Sequence, residues 1–333
     1  MRTIEPVSLD DIVAARSRIA GSAIRTPLVR LGADVTGATV WLKLENLQPI
    51  GSFKLRGAGN AIALLPPERL AEGVYTASAG NMAQGIAWNA RRLGIPCSVV
   101  VPDQAPAAKR AAIERLGATI VAVPFDEWWS VLVEHGHPRM RGTFVHPVSD
   151  PAVIAGNGTI GLEILEDLPG VETVLVPYGG GGLSCGIASA LRALAPRAKV
   201  FGCEVETAAP LSASLAAGAA RSIDYTPSFV DGIGARSVLE EMWPLASGLL
   251  AGSRVVSLAE AAAAVRLLVE RNRVVAEGAG AVAVAAAFSQ PRLTGTVVCV
   301  VSGGNIDAVK LARILEGGIP GPSTAPPRTT TPS

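Results

Sequence analysis

Aromatic side chains are scarce, 4% of 333 residues, and charge is thin and balanced: 29 basic and 28 acidic groups leave a net charge of +1. A chain with no surplus of either sign lacks the electrostatic footprint for a polyanion or an anionic membrane surface, so nucleic-acid and membrane partners are not expected. Hydrophobic residues reach 49%, yet glycine, proline or charge interrupts every apolar run before it attains membrane-spanning length. The opening, MRTIEPVSLDDIVAARSRIAG, has no apolar h-region, so no secretory signal is expected and the expected compartment is the cytoplasm. The four cysteines, Cys97, Cys185, Cys203 and Cys299, lie far apart without a Cys-x-x-Cys pair. They read as small buried thiols rather than metal ligands or disulfides. Three histidines occur, His135, His137 and His146, with no cysteine or carboxylate around them at the spacing of a metal site, and none is expected.

What the chain has in quantity is a strand, turn and helix rhythm. A first helix over 10–20 follows a Ser8/Asp10 start, a short strand covers 39–44, and a helix covers 55–65. Beyond Pro66-Pro67, strands over 74–77, 97–101 and 119–123 alternate with helices over 81–93, 107–116 and around 128–133. A polar, Pro/Gly-punctuated segment over 134–144 reads as a loop near a subdomain boundary. A second series runs helix 158–168, strand 173–176, helix 183–194, strand 199–204 and a helix around 211–217. After a loop over 226–239 come helices over 258–271 and 280–288 and a last strand over 296–301. Short apolar strands in such alternation predict an α/β protein with parallel sheets buried on both faces. The length suits two domains, or one large domain with an insertion.

Four stretches carry chemistry. In ENLQPIGSFKLRGA, Lys54 stands at a turn just ahead of a helix; a partly desolvated lysine there reaches the neutral amine that attacks an aldehyde, although a lone lysine in a turn also reads as a snorkelling surface side chain. After a strand comes Tyr178 and then Gly179, Gly180, Gly181 and Gly182, running into a helix. Successive N–H groups of such a run close around an anion at a helix N-terminus, and a phosphate is the natural guest. The run is neither Gly-x-Gly-x-x-Gly nor a Gly-Lys-Ser/Thr loop, which argues against dinucleotides and triphosphates. The turn Ser78-Ala79-Gly80-Asn81-Met82 between strand and helix suits a substrate carboxylate, or is simply a capped helix. VCVVSGGNID places Ser302 at the carboxyl end of the last strand, where open α/β sheets take their ligands.

Together, and in this order, these stretches resemble the fold-type II pyridoxal-phosphate enzymes, and within them the serine/threonine dehydratase family that includes serine racemase. The resemblance runs from about residue 9 to 315. It implies a tryptophan-synthase-β-like α/β fold of two three-layer α/β/α domains with pyridoxal 5'-phosphate in the cleft between them. The larger, cofactor-binding domain would comprise 1–45 plus 147–318, the smaller, 46–146, would close on substrate, and 319–333 would be a disordered tail. By matching position, Lys54 would be the Schiff-base lysine, Phe53 would lie against the cofactor ring, and Asn81 would hydrogen-bond its 3-hydroxyl. Gly179 to Gly182 with Leu183 would hold the phosphate, Ser302 would face the ring nitrogen, and Glu277 would line the site. Ser78, Gly80 and Asn81 would bind the carboxylate of an amino-acid substrate, with Ala79 and Met82 beside them. The implied activity is β-elimination from a β-hydroxy-α-amino acid, L-threonine or L-serine by default with a bulkier β-hydroxy amino acid as the variant, to a 2-oxo acid and ammonia by a homodimeric enzyme. β-Replacement or racemisation on the same scaffold is the alternative, and a non-catalytic ligand-binding protein a more distant one.

The sequence departs from the family in four places. Ala79 stands where the racemases have a serine as second acid/base, which predicts a lyase. Met82 replaces a common histidine, which could admit a more apolar substrate. Glu204 is kept from a divalent-cation site of some relatives, but Pro210 replaces its second carboxylate, so no metal is expected. The segment from Phe125 to Trp129 carries extra aromatic bulk and reads either as packing or as the border of a side-chain pocket.

Overall fold

The computed structural model describes residues 4–322. In chain order its strands are β1 Leu28–Arg30, β2 Ala38–Lys43, β3 Val74–Ala77, β4 Cys97–Pro102, β5 Thr119–Val123, β6 Thr143–Phe144, β7 Thr173–Pro177, β8 Lys199–Val205, β9 Gly252–Val256 and β10 Gly295–Val300. The helices are α1 Leu9–Ile19, α2 Lys54–Ala63, α3 Pro67–Glu72, α4 Asn81–Leu93, α5 Ala107–Arg115, α6 Phe125–Val133, α7 Pro151–Asp167, α8 Gly182–Leu194, α9 Pro210–Ala217, α10 Trp243–Leu249, α11 Leu258–Leu267, α12 Gly278–Phe288 and α13 Ala308–Leu315.

The strands form a six-stranded sheet in the order β1-β2-β10-β7-β8-β9 and a four-stranded sheet in the order β5-β4-β3-β6. Alternation along the central strands builds a layer on each face. In β10, Val297 and Cys299 feed a core shared with the alanine-rich α12 and with α11. Val298 and Val300 point the other way, into a core with residues of α7, α8 and α10. The smaller sheet does the same: Val99 and Val101 pack with α2 and α4, and Val100 with α6. Each such fully buried valine contributes roughly 1.5–3 kcal/mol, which is why these strands read as unbroken apolar runs.

Several expectations need correcting. The larger sheet is mixed, because β1 pairs antiparallel with β2 at its edge; the other pairings are parallel. Helix α7 starts at Pro151 rather than near 158, with the Asp150 carboxylate accepting the Ala152 N–H at 2.8 Å. Its glycines hid it: at Gly156 a Cβ would stand 2.6 Å from the Arg56 carbonyl, so they mark close packing on α2 rather than a break. The short elements β1, α3, β9 and α10 escaped notice because each is too brief for a period to show; α13 was missed although its eight residues are amphipathic. The segment over 134–144 is a loop except for β6, and the loop over 226–239 holds a single 3₁₀ turn, Asp231–Ile233. Of the expected disordered tail, 323–333 lie outside the described residues, while the Ile319 carbonyl accepts a hydrogen bond from Arg313 at 3.1 Å. Among the described residues no helix is long and apolar enough to cross a membrane.

Candidate active site

Turns at the carboxyl ends of strands from both sheets converge on one cavity of about 670 Å³, lined by Phe53, Lys54, Ser78, Ala79, Gly80, Asn81, Met82, Gly179, Gly180, Gly181, Gly182, Leu183, Glu277 and Ser302. The residues expected to hold cofactor or substrate thus line the same space, at the crevice open α/β sheets use.

Lys54 opens α2 beside the end of β10: the Phe53 N–H donates to the Ser302 carbonyl at 3.1 Å. Its Nζ donates to the Pro147 carbonyl at 2.8 Å and lies 5.2 Å from the Phe53 ring centre. Burial disfavours the ammonium and pushes the Lys54 pKa down from 10.5 to about 8. An amine-selective reagent such as trinitrobenzenesulfonate should therefore label Lys54 of the cofactor-free protein at a rate that rises with pH through about 8 as the proton leaves. A labelling midpoint at the ordinary lysine value, judged against Lys54→Met, would show an unperturbed amine.

The glycine loop is built against a neighbouring turn. A Cβ on Gly180 would stand 2.5 Å from Val148 Cγ2, one on Gly182 would stand 2.7 Å from the Val148 carbonyl, and Gly181 has φ +95°. No other residue type lets the loop approach Val148 so closely. Helix α8 then begins inside the protein, with Gly182 and Leu183 buried at the cavity wall, so its first N–H groups, which have no helical acceptor, are left for a guest in the cavity. These donors, the depressed Lys54 amine and the buried Ser302 hydroxyl fit pyridoxal phosphate: an anion cradle, a nucleophilic amine and a neutral partner for the ring nitrogen.

Asn81 is held from both ends of its amide. Its Nδ2 donates to Glu277 Oε1 at 2.8 Å, and its Oδ1 accepts from Asn305 Nδ2, also at 2.8 Å. Burial, with the nearby Asp231 charge, raises the Glu277 pKa to about 7. In the same turn the Gly80 N–H donates to Ser78 Oγ at 3.2 Å, so Gly80 is already engaged and the Ser78 O–H is the donor left over. Met82 lines the cavity but is only 2% exposed and packs with Ala58, Ile62 and Ile86, so it is a core residue first. Phe125 and Trp128 do border the cavity.

Pro147, Val148, Asn305 and the ion pair Lys109–Asp231, 2.7 Å across the cavity mouth, were missed. The HPV and SGGN contexts carried a weak signal, since both adjoin strand ends; the ion pair joins α5 to a 3₁₀ turn far along the chain and carried none.

Two groups bear on metal binding. His135, His146 and Glu241 bring ligand atoms within 4.8 Å of one another, a grouping invisible in the sequence because Glu241 comes from a distant 3₁₀ turn. Yet His146 Nδ1 accepts the Val148 and Ser149 N–H groups at 3.1 and 2.8 Å, so a neutral ring carries its proton on Nε2 and offers no lone pair there. Glu204 accepts the Leu211 and Ser212 N–H groups at 2.7 and 2.8 Å and the Ser253 hydroxyl at 2.6 Å, capping α9 with both oxygens.

Comparison with known proteins points one way. The family described as pyridoxal-phosphate dependent enzyme matches residues 19–303. The L-threonine ammonia-lyase of Thermotoga maritima is 42% identical over 318 residues, 94% of this chain and 79% of that protein. The catabolic L-threonine dehydratase TdcB of Staphylococcus aureus strain N315 is 38% identical over 329 residues, 96% of this chain and 95% of that one. Maize serine racemase superposes with a TM-score of 0.85 at 31% identity, covering 94% of this chain and 98% of that chain. Threonine deaminase isoform 2 of Solanum lycopersicum gives 0.81 at 32% identity, covering 95% and 96%.

Proposed function

The chain belongs to the pyridoxal-phosphate dependent enzyme family, and from that premise we propose that it is an ammonia-lyase converting a β-hydroxy-α-amino acid, L-threonine or L-serine first, to a 2-oxo acid and ammonia. The observation that carries the reading is a buried amine with its pKa near 8 at the meeting point of an anion cradle and a carboxylate-sized helix start. The names of the T. maritima and S. aureus relatives support the same substrate class.

Pyridoxal phosphate, when bound, supplies an electron sink conjugated with the substrate amine, which acidifies the Cα–H. In this reading Gly179 to Leu183 would hold its phosphate, Phe53 would lie against its ring, and Ser302 would offer a neutral hydroxyl to the ring nitrogen. Asn81, oriented by Glu277 and Asn305, is the amide presented to the cofactor's edge. Lys54 takes the Cα proton, and its depressed pKa leaves a substantial neutral fraction at physiological pH. The Ser78 hydroxyl and the N–H groups at the start of α4 hold the substrate carboxylate, fixing the Cα–H toward Lys54. Ala79 adds only a methyl group to this turn, so the opposite face of Cα has no acid from that position.

Purified, cofactor-loaded protein should release 2-oxobutanoate from L-threonine and pyruvate from L-serine, each with equimolar ammonia. D-serine should form at least ~10²-fold more slowly than pyruvate, the usual loss when a positioned acid/base is missing. D-serine accumulating as fast as pyruvate, or an amino-acid product with an added thiol and no 2-oxo acid, would replace the lyase reading with racemisation or β-replacement.

The same proposal includes two domains, 46–146 and 1–45 plus 147–318. In its support, the four-stranded sheet draws only on Val74–Phe144, and the six-stranded sheet only on segments outside that span. Cytoplasmic residence and a homodimer belong to it on family resemblance.

A further inference from the structure

One short turn, 146–150, touches the parts of the site that lie on different elements. The Pro147 carbonyl accepts from Lys54 Nζ at 2.8 Å. Val148 fills the space that a Cβ at Gly180 would need, and its carbonyl abuts Gly182. Asp150 caps α7. What folds this turn is a side chain: His146 Nδ1 lies 3.1 Å from the Val148 nitrogen, 2.8 Å from the Ser149 nitrogen and 2.8 Å from Ser149 Oγ. The ring is 3% exposed, stacks on His135 with centroids 4.5 Å apart and 23° between planes, and meets the edge of Phe144. His135 Nε2 in turn lies 3.0 Å from Glu241 Oε1, which anchors the stack on the half of the molecule built on the larger sheet.

We propose that His146 is a positioning residue: its Nδ1 lone pair gathers the Val148 and Ser149 N–H groups, and the turn so formed aims the Pro147 carbonyl at the Lys54 amine and seats Val148 against the phosphate cradle. The inference rests on Lys54 being the reacting amine. Two backbone donors converging on one sp² nitrogen require that nitrogen to be unprotonated, and contacts to residues two and three ahead are those by which Asn and Asp close turns. Packing alone would accept a phenylalanine in this buried stack. A ring without an acceptor would leave two buried N–H groups unsatisfied, and the turn would relax to find partners. A shift of about 1 Å at Pro147 or Val148 would reach both Lys54 and the glycine loop.

Two variants separate acceptor from ring. His146→Asn offers Oδ1 close to where Nδ1 stood; His146→Phe keeps the ring and removes the acceptor. Each is assayed well below its own Tm for kcat and KM with L-threonine, for pyridoxal-phosphate affinity, and for the pH midpoint of Lys54 labelling without cofactor. His146→Phe should lose ~10²-fold in kcat with KM nearly unchanged, bind the cofactor about tenfold more weakly, and label with a shifted midpoint. His146→Asn should stay within about threefold of the parent on each count. Equal behaviour of the two variants, or losses that track only the unfolded fraction, would overturn the proposal. Should H146F fail to fold, Val148→Ala carries the test, since it keeps the His146 bonds and trims the wall at Gly180. Cofactor affinity should then fall about tenfold with the labelling midpoint unchanged, and unchanged affinity would overturn the proposal. Labelling and cofactor affinity need no turnover, so they still report if the parent releases no 2-oxo acid. Turnover by the parent with H146F equal to H146N would sink the positioning role alone.

Discussion

Lys54→Met stops 2-oxo acid release, with kcat down ~10⁴-fold or further, and at neutral pH leaves the cofactor-free protein more stable than its parent. The loss of rate follows from removing the one amine among the cavity-lining residues that burial brings near neutrality, with its pKa at about 8. The gain in stability follows from the same displacement. Below pH 8 the folded chain carries an ammonium that burial disfavours, a penalty that the unfolded chain, with its lysine near the ordinary value of 10.5, does not bear. Between about 8 and 10.5 the folded form has released its proton while the unfolded form still holds one, so parent stability rises with pH. Methionine fills a similar volume without charge, and the Pro147 carbonyl it leaves faces the cavity, where water can replace the amine. Urea unfolding of both cofactor-free proteins should show the variant ahead at pH 7 and the two converging by about pH 10.5. A variant less stable at pH 7, or a gap that widens with pH, would mean that Lys54 is a stabilised cation and not a strained one. Activity and stability opposing each other at one residue is the usual mark of a functional site.

The site was legible because each of its parts is a local pattern. A glycine run entering a helix, a lysine at a helix start, and small polar residues after a strand each state their backbone chemistry within a few residues, and the cavity assembles these at strand ends as the fold class demands. Several helices and buried strands were legible for the same reason: β3, β5 and α4 fall where the periods place them, whereas the glycines of α7 hid its first two turns. What stayed hidden depends on partners far along the chain. Asn81 is oriented by Glu277 and Asn305, His135 meets Glu241, and Lys109 meets Asp231; no spacing rule pairs residues a hundred or more positions apart. The antiparallel β1 was missed because three residues do not show a period, and its hand follows from a tight return at Val35 to Ala38. Met82 lines the cavity and also packs in the core where α4 meets α2, a second role its place in the motif did not show.

Arg56 lay within the stretch around Lys54 yet gave no sign of the buried ion pairs it makes. It is 1% exposed, forks onto Glu45 with Nε and Nη2 each at 2.8 Å, and reaches Glu163 at 2.6 and 2.9 Å. Lys43 completes the quartet, 2.6 Å from Glu163, so two cations face two carboxylates with no net charge buried. Arg56→Met leaves an excess of negative charge in the core and should cost about 3–5 kcal/mol; Arg56→Lys should recover only part, because an ammonium cannot serve both carboxylates through a planar fork. The pH dependence separates lost charge from lost packing. In the parent, burial pushes the Glu45 pKa up, but the Arg56 charge and hydrogen bonds, with Thr26 and Lys43, outweigh it and hold it below 4.5. The stability this contributes is present above the ordinary carboxylate range and is lost as pH falls through the depressed value. Without Arg56 the sign reverses: burial dominates, protonation relieves it, and the deficit of the variant shrinks as the medium is acidified. Urea unfolding at pH 7 and pH 5 should show a smaller gap at the lower pH, whereas a constant gap would mean that only packing was lost. Because Arg56 follows Lys54 by two residues on α2, and Glu45 and Glu163 sit beside β2 and on α7, the quartet fixes the base of the helix that carries the reactive amine. The surviving folded fraction of Arg56→Met should therefore show a broadened Lys54 labelling midpoint as well as a lower Tm, the first through position and the second through charge.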